Sequence, residues 1–276
     1  MFDTNYYCLV AGLREYSLDG GAKGFDPHAI LDEILRELTP RDLRAVRLLY
    51  GYYDCKNLIA LRAGSPAHDP LGNFARERLK EETEHPRLLP HAIGLVLAAY
   101  ARPDGEEAEE VDTSRPFEQA LFEAYYGLCA ASPSRFLREW SDFDRTLRNV
   151  AAATTARAAG RPVDGHVVGN DDVAEQLRRS AADFGLRGEL PYIDAVIAAV
   201  NDESNLLEKE HKIDRIRWQQ AVDLAAEDYF NVNAVLSYLV RINLVARWTQ
   251  LDEARGRAML GRLLRELDGK ELINNK

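Results

Sequence analysis

The stretch TPRDLRAVRLLYGYYDCKNLIALR, residues 39–62, decides the fold class of this chain. Thr39 followed by Pro40 is typical of a helix N-cap with proline at the first helical position, and Asp42 stands where a capping box places its acid. Apolar residues then recur at helical spacing: Leu43, Val46, Leu49, Tyr50. The stretch therefore predicts a long helix that runs to about Leu61.

The same pattern, a capping residue followed by proline, recurs along the chain. Asp26-Pro27 precedes an apolar helical pattern, and Ser132-Pro133 is expected to cap a long helix that runs to Ala159. Together with the abundance of Ala, Leu, Arg and Glu, these signals predict at least nine helices, little sheet and an all-α fold. One exception is expected at residues 6–13, an aromatic and apolar segment that is predicted to be extended.

The best linker candidate is the acidic, proline-containing segment 103–115. It divides the chain into an N-terminal helical lobe, residues 1–102, and central and C-terminal helical lobes, residues 116–276, which can interleave. The last two helices are expected around Asp228–Trp248 and Asp252–Leu267.

Charge and composition restrict the possible partners. A net charge of −10 argues against nucleic acid, because duplex binding depends on cationic side chains. The longest apolar stretch, 92–100, is far shorter than the ~20 residues of a membrane span, so no direct membrane insertion is expected. Three scattered cysteines and a start without a basic, apolar leader fit a cytoplasmic protein.

A faint internal repeat of Asp, Asn and Arg runs through the sequence. Its first copy follows an aromatic pair, and the two later copies share spacings of 5 and 8 residues. The three trios are Asp54, Asn57, Arg62; Asp144, Asn149, Arg157; and Asp228, Asn233, Arg241. Their asparagines stand 149 − 57 = 92 and 233 − 149 = 84 residues apart. Such a pattern predicts small helical units stacked side by side, with polar residues that cap and tie helices.

The sequence contains no catalytic motif in surroundings that would support catalysis. No P-loop or nucleophile elbow is present, so neither an enzymatic activity nor a cofactor is expected. Two ExxH motifs provide the alternative, a di-metal carboxylate enzyme in a helical bundle whose ligands would be Glu82, His85, Glu208, His211. Both motifs lie in highly charged stretches, and Pro86 disfavours a helical His85, which argues against the metal site.

Several stretches carry a resemblance to known families. The opening YYCLVAGL, residues 6–13, and the C-terminal IDRIRW, residues 213–218, with RWTQLD, residues 247–252, resemble an uncharacterised bacterial family whose genes lie within V-type ATPase clusters. The stretch DCKNLIALR, residues 54–62, is similar to an Asp-x-x-Asn-Leu-x-x-x-x-Arg element that recurs in the C subunit of V/A-type ATPases, which is the counterpart of the eukaryotic d subunit.

The second resemblance implies a non-catalytic, lobed array of helical bundles. The C subunit sits on the membrane rotor ring and receives the central shaft, so the implied partners are the stalk and ring proteins of the ATPase. The implied location is cytoplasmic, peripheral to the inner membrane through the complex. The chain is shorter than most such proteins, and the later copies of the element are degraded. The remaining alternative is a helical interaction scaffold unrelated to the ATPase.

Overall fold

The computed structural model describes residues 4–20, 24–105, 110–179, 184–202 and 206–250. These residues form eleven α-helices and contain no strand. The helices are α1 (Tyr7–Gly12), α2 (Pro27–Glu37), α3 (Pro40–Arg62), α4 (Arg76–Glu84), α5 (His91–Ala101), α6 (Phe117–Ala130), α7 (Arg135–Ala158), α8 (Asp172–Arg179), α9 (Ile193–Asn201), α10 (Leu206–Leu224) and α11 (Val232–Gln250). The predicted all-α fold is confirmed, and the helix expected at 252–267 lies outside the described residues.

Helix starts follow the caps that the sequence indicates. The Asp26 carboxylate accepts hydrogen bonds from the N–H groups of His28 and Ala29, and Pro27 opens α2. At α3, the Thr39 hydroxyl accepts from the Asp42 N–H at 3.3 Å. Helix α7 differs from its prediction by two residues, because Ser134, not Ser132, is its N-cap. A cap must lie directly before the first helical residue, and that residue is Arg135.

The extended segment predicted at residues 6–13 is wrong, since Tyr7–Gly12 forms the short helix α1. The Val10 N–H donates to the Tyr6 carbonyl at 2.9 Å, closing a helical turn. A short apolar run cannot be assigned to strand or helix by periodicity alone. Here Tyr6 is anchored instead by its hydroxyl, which donates to the Asp42 carboxylate at 2.5 Å.

Helix α7 lies at the centre of the packing. It contacts α6, α8, α9, α10 and α11, while α3 packs against α4, α6 and α11. Helices α3, α6, α7, α10 and α11 thereby surround a common space, and buried apolar side chains from all of them join one continuous core.

Helices α5 and α6 pack on each other across the predicted linker at 103–115. The Tyr100 hydroxyl donates to the Arg115 carbonyl at 2.6 Å, which ties the two ends of this segment together. The division into lobes on either side of it stays a prediction. No helix among the described residues combines the length and the apolar character needed to cross a membrane.

Candidate functional site

Asn57, near the end of α3, holds the loop that follows its own helix. Its Nδ2 donates to the Asp69 carbonyl at 3.0 Å, and its Oδ1 accepts from the Asp69 N–H at 2.7 Å. One buried amide thus satisfies both backbone groups of one loop residue, as a neighbouring strand would. We call this arrangement an asparagine clamp.

Asn149 forms a second asparagine clamp in α7. Its Nδ2 donates to the Val168 carbonyl at 2.7 Å, and its Oδ1 accepts from the Val168 N–H at 2.9 Å. The clamped residue again lies in the loop that follows the long helix. Two asparagines that the sequence repeat pairs therefore make the same pair of bonds in two successive helical units.

Each clamped loop is also held by an arginine from the helix that follows it. Arg76 of α4 donates to the carbonyls of Ser65, at 2.7 Å, and Ala67, at 3.0 Å. Arg178 of α8 binds the loop clamped by Asn149 in the same way, through two carbonyls at 3.1 and 2.6 Å. No sequence pattern pointed to either arginine, although each stands in the helix directly after a clamped loop.

The third predicted copy, Asn233, does not form a clamp. It lies at the start of α11, where its Nδ2 donates to Asp228 at 3.2 Å and its Oδ1 accepts from the Ser134 hydroxyl at 3.1 Å. It therefore ties the α10–α11 connection to the N-cap of α7. The contacts of Asn233 therefore differ from those of Asn57 and Asn149, because a residue at a helix start faces the preceding chain.

The arginines of the three trios share a simpler role, since each guanidinium lies over an aromatic ring. The pairs are Arg62 over Phe117 at 4.6 Å, Arg157 over Phe184 at 3.7 Å and Arg241 over Trp218 at 5.6 Å. Such cation–π contacts join a long helix to a neighbouring element.

Asp54 holds the far end of the first clamped loop. Its carboxylate accepts from the Asn73 side chain at 2.6 Å and from the Phe74 N–H at 3.3 Å. Burial raises the pKa of Asp54 to about 6, and those hydrogen bonds offset only part of the rise. A Cβ on Gly72 would stand 2.8 Å from both the Asp54 carboxylate and the Asn57 amide, so a larger residue there would displace one of these buried side chains.

Asp144, the acid of the second trio, is buried and belongs to an ion-pair network that links three helices. Its carboxylate pairs with Arg148 at 2.6 Å and with Arg217 of α10 at 2.9 Å. Arg217 also binds Asp214 at 2.9 Å, and Asp214 pairs with Arg247 of α11 at 2.8 Å. We call these five residues the ion-pair network.

The ion-pair network keeps Asp144 charged. Burial would raise the pKa of Asp144, but the charges and hydrogen bonds of Arg148 and Arg217 outweigh it and hold that pKa below its usual value. Asp214, which is fully buried, accepts a further hydrogen bond from the Trp248 indole at 2.9 Å. A buried charge with this many partners is well compensated, but removal of any one partner would lower the stability of the fold.

The ion-pair network lines a cavity of about 720 Å³ between α3, α6, α7, α10 and α11. Its remaining wall is rich in aromatic rings, among them Tyr52, Tyr53, Phe122, Tyr126, Trp140. The Arg148 guanidinium lies over the Tyr52 ring at 4.3 Å, joining the charged and aromatic walls. A second cavity of about 390 Å³ adjoins the first between α7 and α10. Neither cavity could be foreseen from the sequence.

The ligands of the alternative metal site, Glu82, His85, Glu208 and His211, are not brought together. No group of three or more His, Cys, Asp or Glu side chains among the described residues is arranged to hold a metal ion. Glu82 instead accepts three backbone N–H groups of the loop after α4, and His211 lies 2.9 Å from Asp19. The two motifs sit on helices with different neighbours, since α4 packs on α3 and α5 while α10 packs on α7, α9 and α11.

The buried thiols also lack the properties of nucleophiles. Burial raises the pKa of Cys129 to about 12 and that of Cys55 well above its ordinary value. A thiol with so high a pKa holds its proton at neutral pH and reacts poorly.

The comparison with known proteins identifies a family without an assigned activity. Residues 3–270 match the family described as "Protein of unknown function (DUF2764)". The match covers nearly the whole chain, so the chain belongs to that family. No curated protein matches the sequence.

Proposed function

We propose that this member of the DUF2764 family is a non-catalytic component of a V/A-type rotary ATPase, similar to the C subunit, and that it couples the central stalk to the membrane rotor ring. The observation that carries the proposal is the pair of asparagine clamps at Asn57 and Asn149. The element that resembles the C subunit performs the same structural task in two successive units, as a repeated element in a lobed adaptor should.

The mechanism of such an adaptor is mechanical. It must transmit torque without yielding, and stiffness comes from cross-ties between helices rather than from apolar packing alone. The pair Arg217–Asp144 ties α10 to α7, and Arg247–Asp214 ties α11 to α10. The Tyr50 hydroxyl adds a tie from α3 to α11. Helices from three parts of the chain are thereby braced around one cavity.

An adaptor between two partners also needs more than one contact surface. Exposed apolar side chains lie on separate elements: Tyr229, 71% exposed, in the α10–α11 connection, and Leu88, 56% exposed, between α4 and α5. Large exposed aromatic and aliphatic groups contribute strongly to protein interfaces. These two positions provide probes of two surfaces.

Co-purification at native expression tests the proposal. A chromosomally tagged chain, extracted gently from membranes, should recover stalk and rotor-ring proteins of the ATPase. Charge-introducing variants Tyr229→Glu and Leu88→Glu then show which surface meets which partner, each serving as the other's control. Recovery of neither stalk nor ring proteins with a folded, normally expressed chain would refute the proposal.

The same experiment addresses the second candidate, an interaction scaffold unrelated to the ATPase. This second candidate is supported by Asn233, which forms no clamp, because a strict threefold repeat like that of the C subunit would require one there. Reproducible recovery of a different complex, without stalk or ring proteins, would favour the scaffold.

A further inference from the structure

The 720 Å³ cavity between α3, α6, α7, α10 and α11 has the size of a small-molecule site, since such sites usually enclose about 300–1,000 Å³. Apolar and aromatic side chains make up about half of its lining, and charged groups project from several of the helices around it. A pocket of this composition suits an organic ligand that carries a charge. The sign of that charge follows from the groups that remain open to the cavity.

Arg148 of α7 presents open hydrogen-bond donors to this cavity. Its Nε donates to the Asp144 carboxylate at 2.6 Å, which is the one hydrogen bond that this guanidinium makes within the described part of the chain. The Arg148 side chain is 39% exposed and lines the cavity, so the N–H groups of both Nη atoms stay open to a ligand. Paired N–H groups in a rigid plane match the oxygens of a carboxylate, phosphate or sulfonate.

Arg148 is also the cationic end of a chain of alternating charges. The chain runs in the order Arg148, Asp144, Arg217, Asp214, Arg247, Glu210. Each inner member is bound on both sides by the opposite charge, whereas within the described residues Arg148 and Glu210 are each bound on one side. Arg148 lies beside α3, and Glu210 also lines the smaller cavity. The large cavity therefore has a cationic end at α3 and an anionic end towards the smaller cavity.

Two half-buried tyrosines of α3 form a corner of the cavity wall at this cationic end. The rings of Tyr52 and Tyr53 meet edge-on with their centres 5.5 Å apart, and both line the cavity. The Arg148 guanidinium lies 4.3 Å from the Tyr52 ring centre, and the Lys56 amine lies 5.7 Å from that of Tyr53. Lys56 is exposed and binds Asp69 at 2.9 Å, but an ammonium has further donors to offer. The corner thus combines aromatic surface with two cations.

We propose that this corner of the cavity binds a small organic anion that carries an aromatic ring. The acidic group of the ligand accepts hydrogen bonds from the Nη groups of Arg148 and from Lys56, and its ring packs against Tyr52 and Tyr53. A cationic ligand is disfavoured at the same place, because it would lie beside two positive charges. The proposal rests on the cavity and its charges, not on the partnership with an ATPase, so either can fail without the other.

Fluorescence titration of the full chain with two matched dyes tests the proposal. The dyes are 8-anilinonaphthalene-1-sulfonate and N-phenyl-1-naphthylamine, which share one ring system but differ in the sulfonate. The sulfonate dye should bind about tenfold more tightly than the neutral one, because its charge adds a contact to Arg148. Arg148→Met should remove that difference by weakening the sulfonate dye alone. The control Arg179→Met, at an exposed site on α8 away from the cavity lining, should leave the Kd of both dyes unchanged.

Two outcomes would overturn the proposal. Equal Kd values of the two dyes in the unmodified chain exclude a site for anions, and an unchanged Kd of the sulfonate dye in folded Arg148→Met excludes this site. If Arg148→Met fails to fold, Lys56→Met decides instead, because Lys56 is exposed and its ion pair contributes little to stability. This variant should weaken the sulfonate dye by roughly threefold and leave the neutral dye unchanged. No change for either dye would contradict the site.

Discussion

Replacing Asn149 by alanine removes one complete clamp with little other change. The amide makes two hydrogen bonds to the backbone of Val168, at 2.7 and 2.9 Å, and the residue is 4% exposed. Alanine keeps the helix propensity of α7 and creates no clash. The effect therefore measures the clamp itself.

The two hydrogen bonds set the expected magnitude. Each contributes about 1 kcal/mol, and leaving the backbone groups of Val168 without partners adds a desolvation cost, for a total of about 3 kcal/mol. For a chain of this size each kcal/mol lowers Tm by roughly 2–4 °C, so the expected fall is about 6–12 °C. Asn57→Ala should give a loss of similar size, because its clamp has the same two bonds.

Urea unfolding followed by circular dichroism, together with thermal melts, measures the loss. The exposed variant Asn201→Ala is the matched control. Asn149→Asp sharpens the test, because the carboxylate still accepts from the Val168 N–H but repels its carbonyl. Its loss should therefore be larger at pH 7 than at pH 4. Equal stabilities of Asn149→Ala and Asn201→Ala would refute the clamp as a stabilising element.

Three further substitutions test the other parts of the site. Arg217→Met should lower the free energy of unfolding in urea by about 3 kcal/mol, because Asp144 and Asp214 each lose one buried cationic partner. An unchanged free energy of unfolding would contradict a stabilising role of the ion-pair network. Asp54 has a folded pKa of about 6 against 3.8 as the reference, so its contribution to stability falls as pH rises from about 4 to 6. Asp54→Asn should flatten the dependence of the free energy of unfolding on pH between about 4 and 6. An unchanged slope would contradict the raised pKa of Asp54. Gly72→Ala should cost about 1–3 kcal/mol, because its Cβ would meet the Asp54 carboxylate at 2.8 Å; full stability would show that the loop can shift.

Local signals made the helical architecture predictable. The N-caps at Asp26 and Thr39 are short-range chemistry, and both appear as predicted. The prediction of an extended segment at Tyr7–Gly12 was wrong because six residues are too few to show a helical period. The cavity and the ion-pair network depend on helices far apart in the chain, such as those of Arg217 and Asp144, and no local pattern encodes their meeting.

The asparagine repeat shows where a sequence pattern needs a physical criterion. Asn233 and Asn149 both stand in long helices after a preceding helix, and spacing alone favoured pairing them. A clamp, however, requires an amide late enough in the helix that the following loop can turn back over it. Asn57 and Asn149 meet that requirement, and Asn233, the second residue of α11, does not.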